Sequence, residues 1–222
     1  MNRAFSSLVK SLLVATLAVS GFASANEHAP AAAPAKADPA KGATLYDNGD
    51  AARGLPACVS CHGAAGNSTI ATNPKLAGQI GPYIVKQLMD FTTPNRVNPI
   101  MTAYAKMLTP EDMKNVAAYV AAQAPKQGAA KNKDIVELGK KIYRGGIAAT
   151  GVAACAGCHG ATGSGIPALF PRLAGQHQDY TVAQLQSFKS GARKNGPMMM
   201  TIAKRMSDDE MKAVADYIAG LK

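Results

Sequence analysis

The chain has 222 residues, a formal net charge of +10, four cysteines, no tryptophan and 5% aromatic residues. The basic excess is spread along the chain and lacks the dense Lys/Arg stripe interleaved with aromatics that a nucleic-acid binder carries. It therefore argues against nucleic acid and suits an acidic partner or anionic headgroups. So few large side chains leave small domains short of core, and such domains need a staple.

In chain order, Arg3 and Lys10 supply a positive segment before the apolar run "SLLVATLAVSGF", and "ASA" at 23–25 is a small-x-small cleavage site. Residues 1–25 read as a secretory signal peptide, too short for a spanning helix and cut after Ala25. Residues 26–37, "NEHAPAAAPAKA", form an Ala/Pro-rich leader expected to be disordered, with His28 a bystander. A first domain is expected over 38–123. Asp38-Pro39 caps an opening helix, "GPYIVKQLMDFT" makes another, and Thr109-Pro110 starts the last. Met113, Val116, Ala117 and Val120 recur there at helical spacing. Residues 124–133, "APKQGAAKNK", read as a flexible linker.

The second domain, 134–222, repeats the pattern. Asp134 with Glu137 predicts a capping box, "QDYTVAQLQSFKSG" a middle helix, and Ser207 with Glu210 the start of the last, with Met211, Val214, Ala215 and Ile218 inward. Met107 and Met206 also fall in the core pattern. No stretch alternates convincingly as a strand, so the fold class is all-α. The repeat is explicit: Cys58 maps to Cys155, Leu76 to Leu173 and Arg96 to Arg193, while "PKLAGQ" at 74–79 returns as "PRLAGQ" at 171–176.

All four cysteines stand in "CVSCH" at 58–62 and "CAGCH" at 155–159. A redox disulfide of this spacing usually sits in a βαβ setting, which is missing here. A four-thiolate zinc site would have to bridge the two domains and would leave the histidines unexplained. Covalent haem c accounts for every residue. Two cysteines one helical turn apart form thioethers with the haem vinyl groups, and the next residue gives its imidazole to the iron. A bound haem also supplies missing core.

A ligand imidazole needs an acceptor for its second nitrogen. Pro74 and Pro171, each twelve residues after its histidine, offer a carbonyl without a competing N–H. The sixth ligands are expected from Met101 and Met199, on loops before the last helices. Met198 and Met200 remain alternatives to Met199. The count back from Ser207, matched to Met101 and Thr109, favours Met199. His177 has no counterpart in the first repeat and reads as a bystander. The second half is the more basic, which predicts the higher potential for its iron.

The paired Cys-x-x-Cys-His motifs, the duplicated "LAGQ", the Arg, the Met and the final amphipathic helix resemble the c4-type dihaem cytochromes c. The likeness spans 38–222. It implies two class I cytochrome c-like helical domains, each wrapped around a covalent haem, with the haem propionates near the domain interface. It implies thioethers at Cys58, Cys61, Cys155 and Cys158, proximal ligands at His62 and His159, and distal ligands at Met101 and Met199. It further implies a monomeric periplasmic electron carrier of a respiratory chain, loosely membrane-associated. Electrons would pass from a quinol-oxidising bc1-type complex towards a terminal oxidase. The rivals are a dihaem peroxidase, a thiosulfate dehydrogenase, and a haem subunit docked in an oxidase. With no spare cysteine and a methionine for each iron, the sequence favours the carrier.

Overall fold

Asp38 opens the first helix in the way its side chain dictates: its carboxylate accepts from the backbone N–H groups of Ala40 and Lys41, and Pro39 follows at the first helical position. The computed structural model describes residues 36–222, which belong to one compact unit. The expectations for a signal peptide, for all but the end of the leader and for His28 lie outside the described residues. The first half contains α1 (Pro39–Asn48), α2 (Val59–His62), α3 (Gly81–Phe91), α4 (Pro99–Ala105) and α5 (Pro110–Ala121). The second contains α6 (Lys133–Gly145), α7 (Ala156–His159), α8 (Gln178–Ser190), α9 (Pro197–Lys204) and α10 (Asp208–Gly220). Among the described residues extended pairing is limited to isolated bridges, and no helix is long and apolar enough to cross a membrane.

The first and last helices of each half cross closely: α1 packs on α5 and α6 on α10. Glycine makes this possible. A Cβ on Gly42 would lie 2.0 Å from the Asn115 carbonyl oxygen, and one on Gly139 would lie 2.0 Å from that of Ala213. Tyr46 and Tyr143 are fully buried beside these crossings, tilted against Tyr119 and Tyr217 at centroid distances of 5.3 and 5.5 Å. The middle helices close each core: Ile84 and Leu88 meet Met113, Val116 and Val120, while Leu185 and Phe188 meet Met211, Val214 and Ile218. The last helices begin with the capping boxes Thr109/Asp112 and Ser207/Glu210, each cap contributing about 1 kcal/mol.

Several local expectations are corrected. Asp134 is not the cap of α6. Asn132 is, accepting from the Asp134 N–H, which leaves Asp134 in the first turn. Met107 is 37% exposed, unlike Met113, Met206 and Met211, which are buried. The linker is fastened to both halves: Lys126 N–H donates to Asn67 Oδ1, while Lys131 and Asn132 N–H donate to the fully buried carboxylate of Asp216. A charged residue in this sequence pattern reads as surface, yet Asp216 is a buried anchor for the connecting chain.

Candidate haem-binding sites

Each Cys-x-x-Cys-His motif forms one helical turn, α2 or α7, with its first cysteine at the cap position. The preceding helix holds the turn in place. Tyr46 donates its hydroxyl to the Gly63 carbonyl at 2.8 Å, and Tyr143 to that of Gly160 at 2.6 Å, immediately after each histidine. Burial raises both phenol pKa values, so these hydroxyls stay protonated donors. Cys58 and Cys155 border the two apolar cores. Burial pushes both thiols up to about 11, which disfavours a thiolate at either position. Among the described residues no group of three or more His, Cys, Asp or Glu gathers to hold a metal, so the two cysteine pairs do not converge on a shared zinc site.

His62 and His159 are buried, 8% and 7% exposed. His62 Nδ1 lies 3.0 Å from the Pro74 carbonyl and His159 Nδ1 lies 2.9 Å from that of Pro171. The expected acceptors are therefore present. Burial lowers both imidazole pKa values against the opposing pull of these carbonyls. A neutral ring donating from Nδ1 leaves Nε2, with its lone pair, as the nitrogen available to an iron.

The distal candidates do not lie on loops. Met101 is the third residue of α4 and Met199 the third of α9, each helix starting at a proline. Asn98 caps α4 through its side chain, accepting from the Met101 N–H at 2.8 Å, whereas Gly196 before α9 offers no side-chain cap. Met101 borders the same core as Cys58, and Met199 and Met200 the same core as Cys155; Met198 is 56% exposed.

The halves meet through side chains whose role the sequence did not disclose. Gln79 grips Arg172, donating to its carbonyl at 2.9 Å and accepting from its N–H at 2.8 Å. Gln176 grips Lys75 in the same way, with both bonds at 3.0 Å. These are the glutamines of the repeated "LAGQ", and the residues they hold directly follow Pro74 and Pro171. His177, expected to be a bystander rather than a ligand, joins the halves: its Nε2 lies 2.9 Å from the Ser68 carbonyl of the other half. For the two glutamines the available signal was the repeat itself, since polar residues kept at the same place in both copies meet across the pseudo-twofold axis; His177, without a counterpart, carried no such signal.

The Cytochrome c family profile matches residues 39–124 and again 136–222. Cytochrome c4 of Thiocapsa roseopersicina is 44% identical over 195 residues, covering 86% of this chain and 96% of that protein. A protein of Stutzerimonas stutzeri named thiosulfate dehydrogenase electron acceptor is 40% identical over 191 residues, covering 84% of this chain and 88% of its own. The crystal structure of reduced recombinant cytochrome c4 from Pseudomonas stutzeri superposes with a TM-score of 0.75 at 34% identity, over 84% of this chain and 100% of that one. The duplicated Cys-x-x-Cys-His turns, the carbonyl-held histidines and these likenesses together place the chain in the cytochrome c family, as a c4-type dihaem electron carrier with two covalently bound haem c groups.

Proposed function

We propose that the chain is a periplasmic carrier of a respiratory chain, that its irons are held by His62 with Met101 and by His159 with Met199, and that it is not itself an enzyme. Cys58, Cys61, Cys155 and Cys158 attach the two groups in this reading. The observation that carries it is that each half holds both a buried carbonyl-held histidine and a methionine at the third position of a proline-started helix, the methionine bordering the same core as the first cysteine of the motif. Haem c supplies a one-electron Fe(III)/Fe(II) couple. The protein holds each imidazole in one tautomer and presents a soft thioether that favours the reduced state. An iron held by both residues would have no open position for substrate.

The basic surface supports docking to acidic partners. The run at 1–25 supports export to the periplasm, and the spread of basic residues supports peripheral membrane contact; the carrier is taken to act as a monomer. A quinol-oxidising bc1-type complex as donor and a terminal oxidase as acceptor fit such a carrier. The relative named as a thiosulfate dehydrogenase electron acceptor supports a second donor class, a thiosulfate dehydrogenase. The test is turnover of the purified dihaem protein. The carrier reading expects no peroxide reduction, no thiosulfate oxidation and no carbon monoxide binding by the reduced form, with rapid reduction by the true donor. Substrate turnover by the chain alone would overturn it.

A further inference from the structure

The duplication sets the outer edges of α4 and α9 against each other, position by position. Val97, Ile100, Ala103 and Met107 of the first half correspond to Lys194, Met198, Thr201 and Arg205 of the second. All eight are exposed. In the first half this edge is apolar from end to end: Val97 is 63% exposed, Ile100 57% and Met107 37%. In the second half an exposed methionine, Met198, stays in the middle while both ends have become cationic. Lys204, the counterpart of Lys106, adds another exposed cation beside Arg205.

No acidic residue lies between Lys189 and Met206. The next ones along the chain are engaged: Asp208 pairs with Lys189, Asp209 pairs with Lys212, and Glu210 accepts from the Ser207 N–H. Among the described residues Lys194, Lys204 and Arg205 stand in no ion pair. Arg205 gives one N–H to the Gly151 carbonyl at 2.8 Å and keeps its charge. Exposed cations around an exposed thioether have the layout of a protein docking surface, an apolar centre within a charged rim. Charges so open to solvent add little to stability and act chiefly on encounter. The helix is 8 residues long, roughly 12 Å, so its charged ends and Met198 fit within one contact patch. Met199, on the same helix, borders the core while Met198 faces outward.

We propose that the outer edge of α9, with Lys194, Met198, Lys204 and Arg205, is the docking face for a redox protein that presents carboxylates around an apolar spot. This deepens, and rests on, the carrier reading: an acidic partner addresses the second half, against the helix that carries its proposed distal ligand. The edge of α4, with Lys106 as its one exposed cation, has far less field to steer such a partner.

The test is stopped-flow reduction of the oxidised dihaem protein by a prereduced plant-type [2Fe–2S] ferredoxin, an acidic one-electron donor of low potential. The second-order rate constant of the wild type is expected to fall steeply as salt is raised. At low ionic strength Lys194→Gln and Arg205→Gln should each lower it about threefold, and the double variant about tenfold with a flatter salt dependence. Arg205→Lys, which keeps the charge, should stay near wild type. Lys106→Gln removes the same charge from α4 and should change the rate by less than about 1.5-fold. Equal losses from Lys106→Gln and Lys194→Gln would show that only net charge matters and would overturn the proposal. So would a salt-independent wild-type rate, or α9 variants that keep the wild-type rate but no longer bind phosphatidylglycerol vesicles, which would make this edge a lipid face. Reversible titration of two haems in every variant keeps the carrier reading separate: unchanged rates in such variants reject only the α9 assignment.

Discussion

His62 and His159, the proposed proximal ligands, have little freedom. Each ring is fixed from below by the tyrosine-held turn and from the side by a proline carbonyl. These contacts were legible as spacing, because the motif and the proline twelve residues on are both local. The distal side was legible only as a residue type. With three consecutive methionines, burial divides them: Met198 points outward, while Met199 and Met200 border the core. Met199 shares its helical register with Met101, third from a proline. Met199→Leu is therefore expected to abolish the methionine-to-ferric-haem charge-transfer band of the second half and to lower one potential. Met198→Leu should be silent. If the second half is the higher-potential one, as its greater basicity suggests, the step that falls is the upper one. Loss of the band from Met200→Leu with Met199→Leu silent would reassign the ligand. Tyr143→Phe tests the turn anchor. It strands the Gly160 carbonyl in a part-buried setting and should cost about 1–3 kcal/mol in denaturant unfolding.

Periodicity revealed the long elements and missed the short ones. The apolar spacing of α5 and α10, with Thr109-Pro110 and Ser207/Glu210 at their starts, marked them from sequence, and α3 and α8 followed from similar runs. The helices α4 and α9 span only Pro99–Ala105 and Pro197–Lys204. Two turns carry too few apolar repeats to stand out from a loop, and the start of α9 lacks a capping side chain. Nor does sequence reveal which glycines sit at a crossing. Gly139 and Gly145 lie in one helix, yet a Cβ at the first would strike the Ala213 carbonyl while nothing lies within 4 Å of one at the second. Gly139→Ala is expected to lower stability by about 3 kcal/mol as α6 is forced off α10. Gly145→Ala should be neutral or stabilising by up to about 1 kcal/mol. Thermal unfolding of the two variants gives the comparison. Equal effects would mean that the close crossing is not what the glycine serves.

At the scale of the whole molecule, duplication was plain in the sequence but its consequence was not. An offset of 97 places Tyr83, Gln87 and Arg96 against Tyr180, Gln184 and Arg193. Only the three-dimensional pairing shows that these residues exchange partners across a pseudo-twofold junction. The linker read as flexible because its composition is polar, while the groups that fasten it, Asn67 and Asp216, are distant in sequence. The glutamine grips should make the halves unfold together. Replacing both Gln79 and Gln176 with Ala removes four interface hydrogen bonds, each contributing about 1 kcal/mol. Calorimetry should then resolve two transitions where the native protein shows one.

The central claim is a carrier with two closed iron sites in one chain, and a reversible redox titration of the purified dihaem protein followed by carbon monoxide addition tests it most directly. Expected are two one-electron steps, a methionine charge-transfer band from each oxidised haem, and a reduced spectrum unchanged by carbon monoxide. A carbon monoxide adduct at either iron, or a haem without the methionine band, would contradict it by revealing an open site.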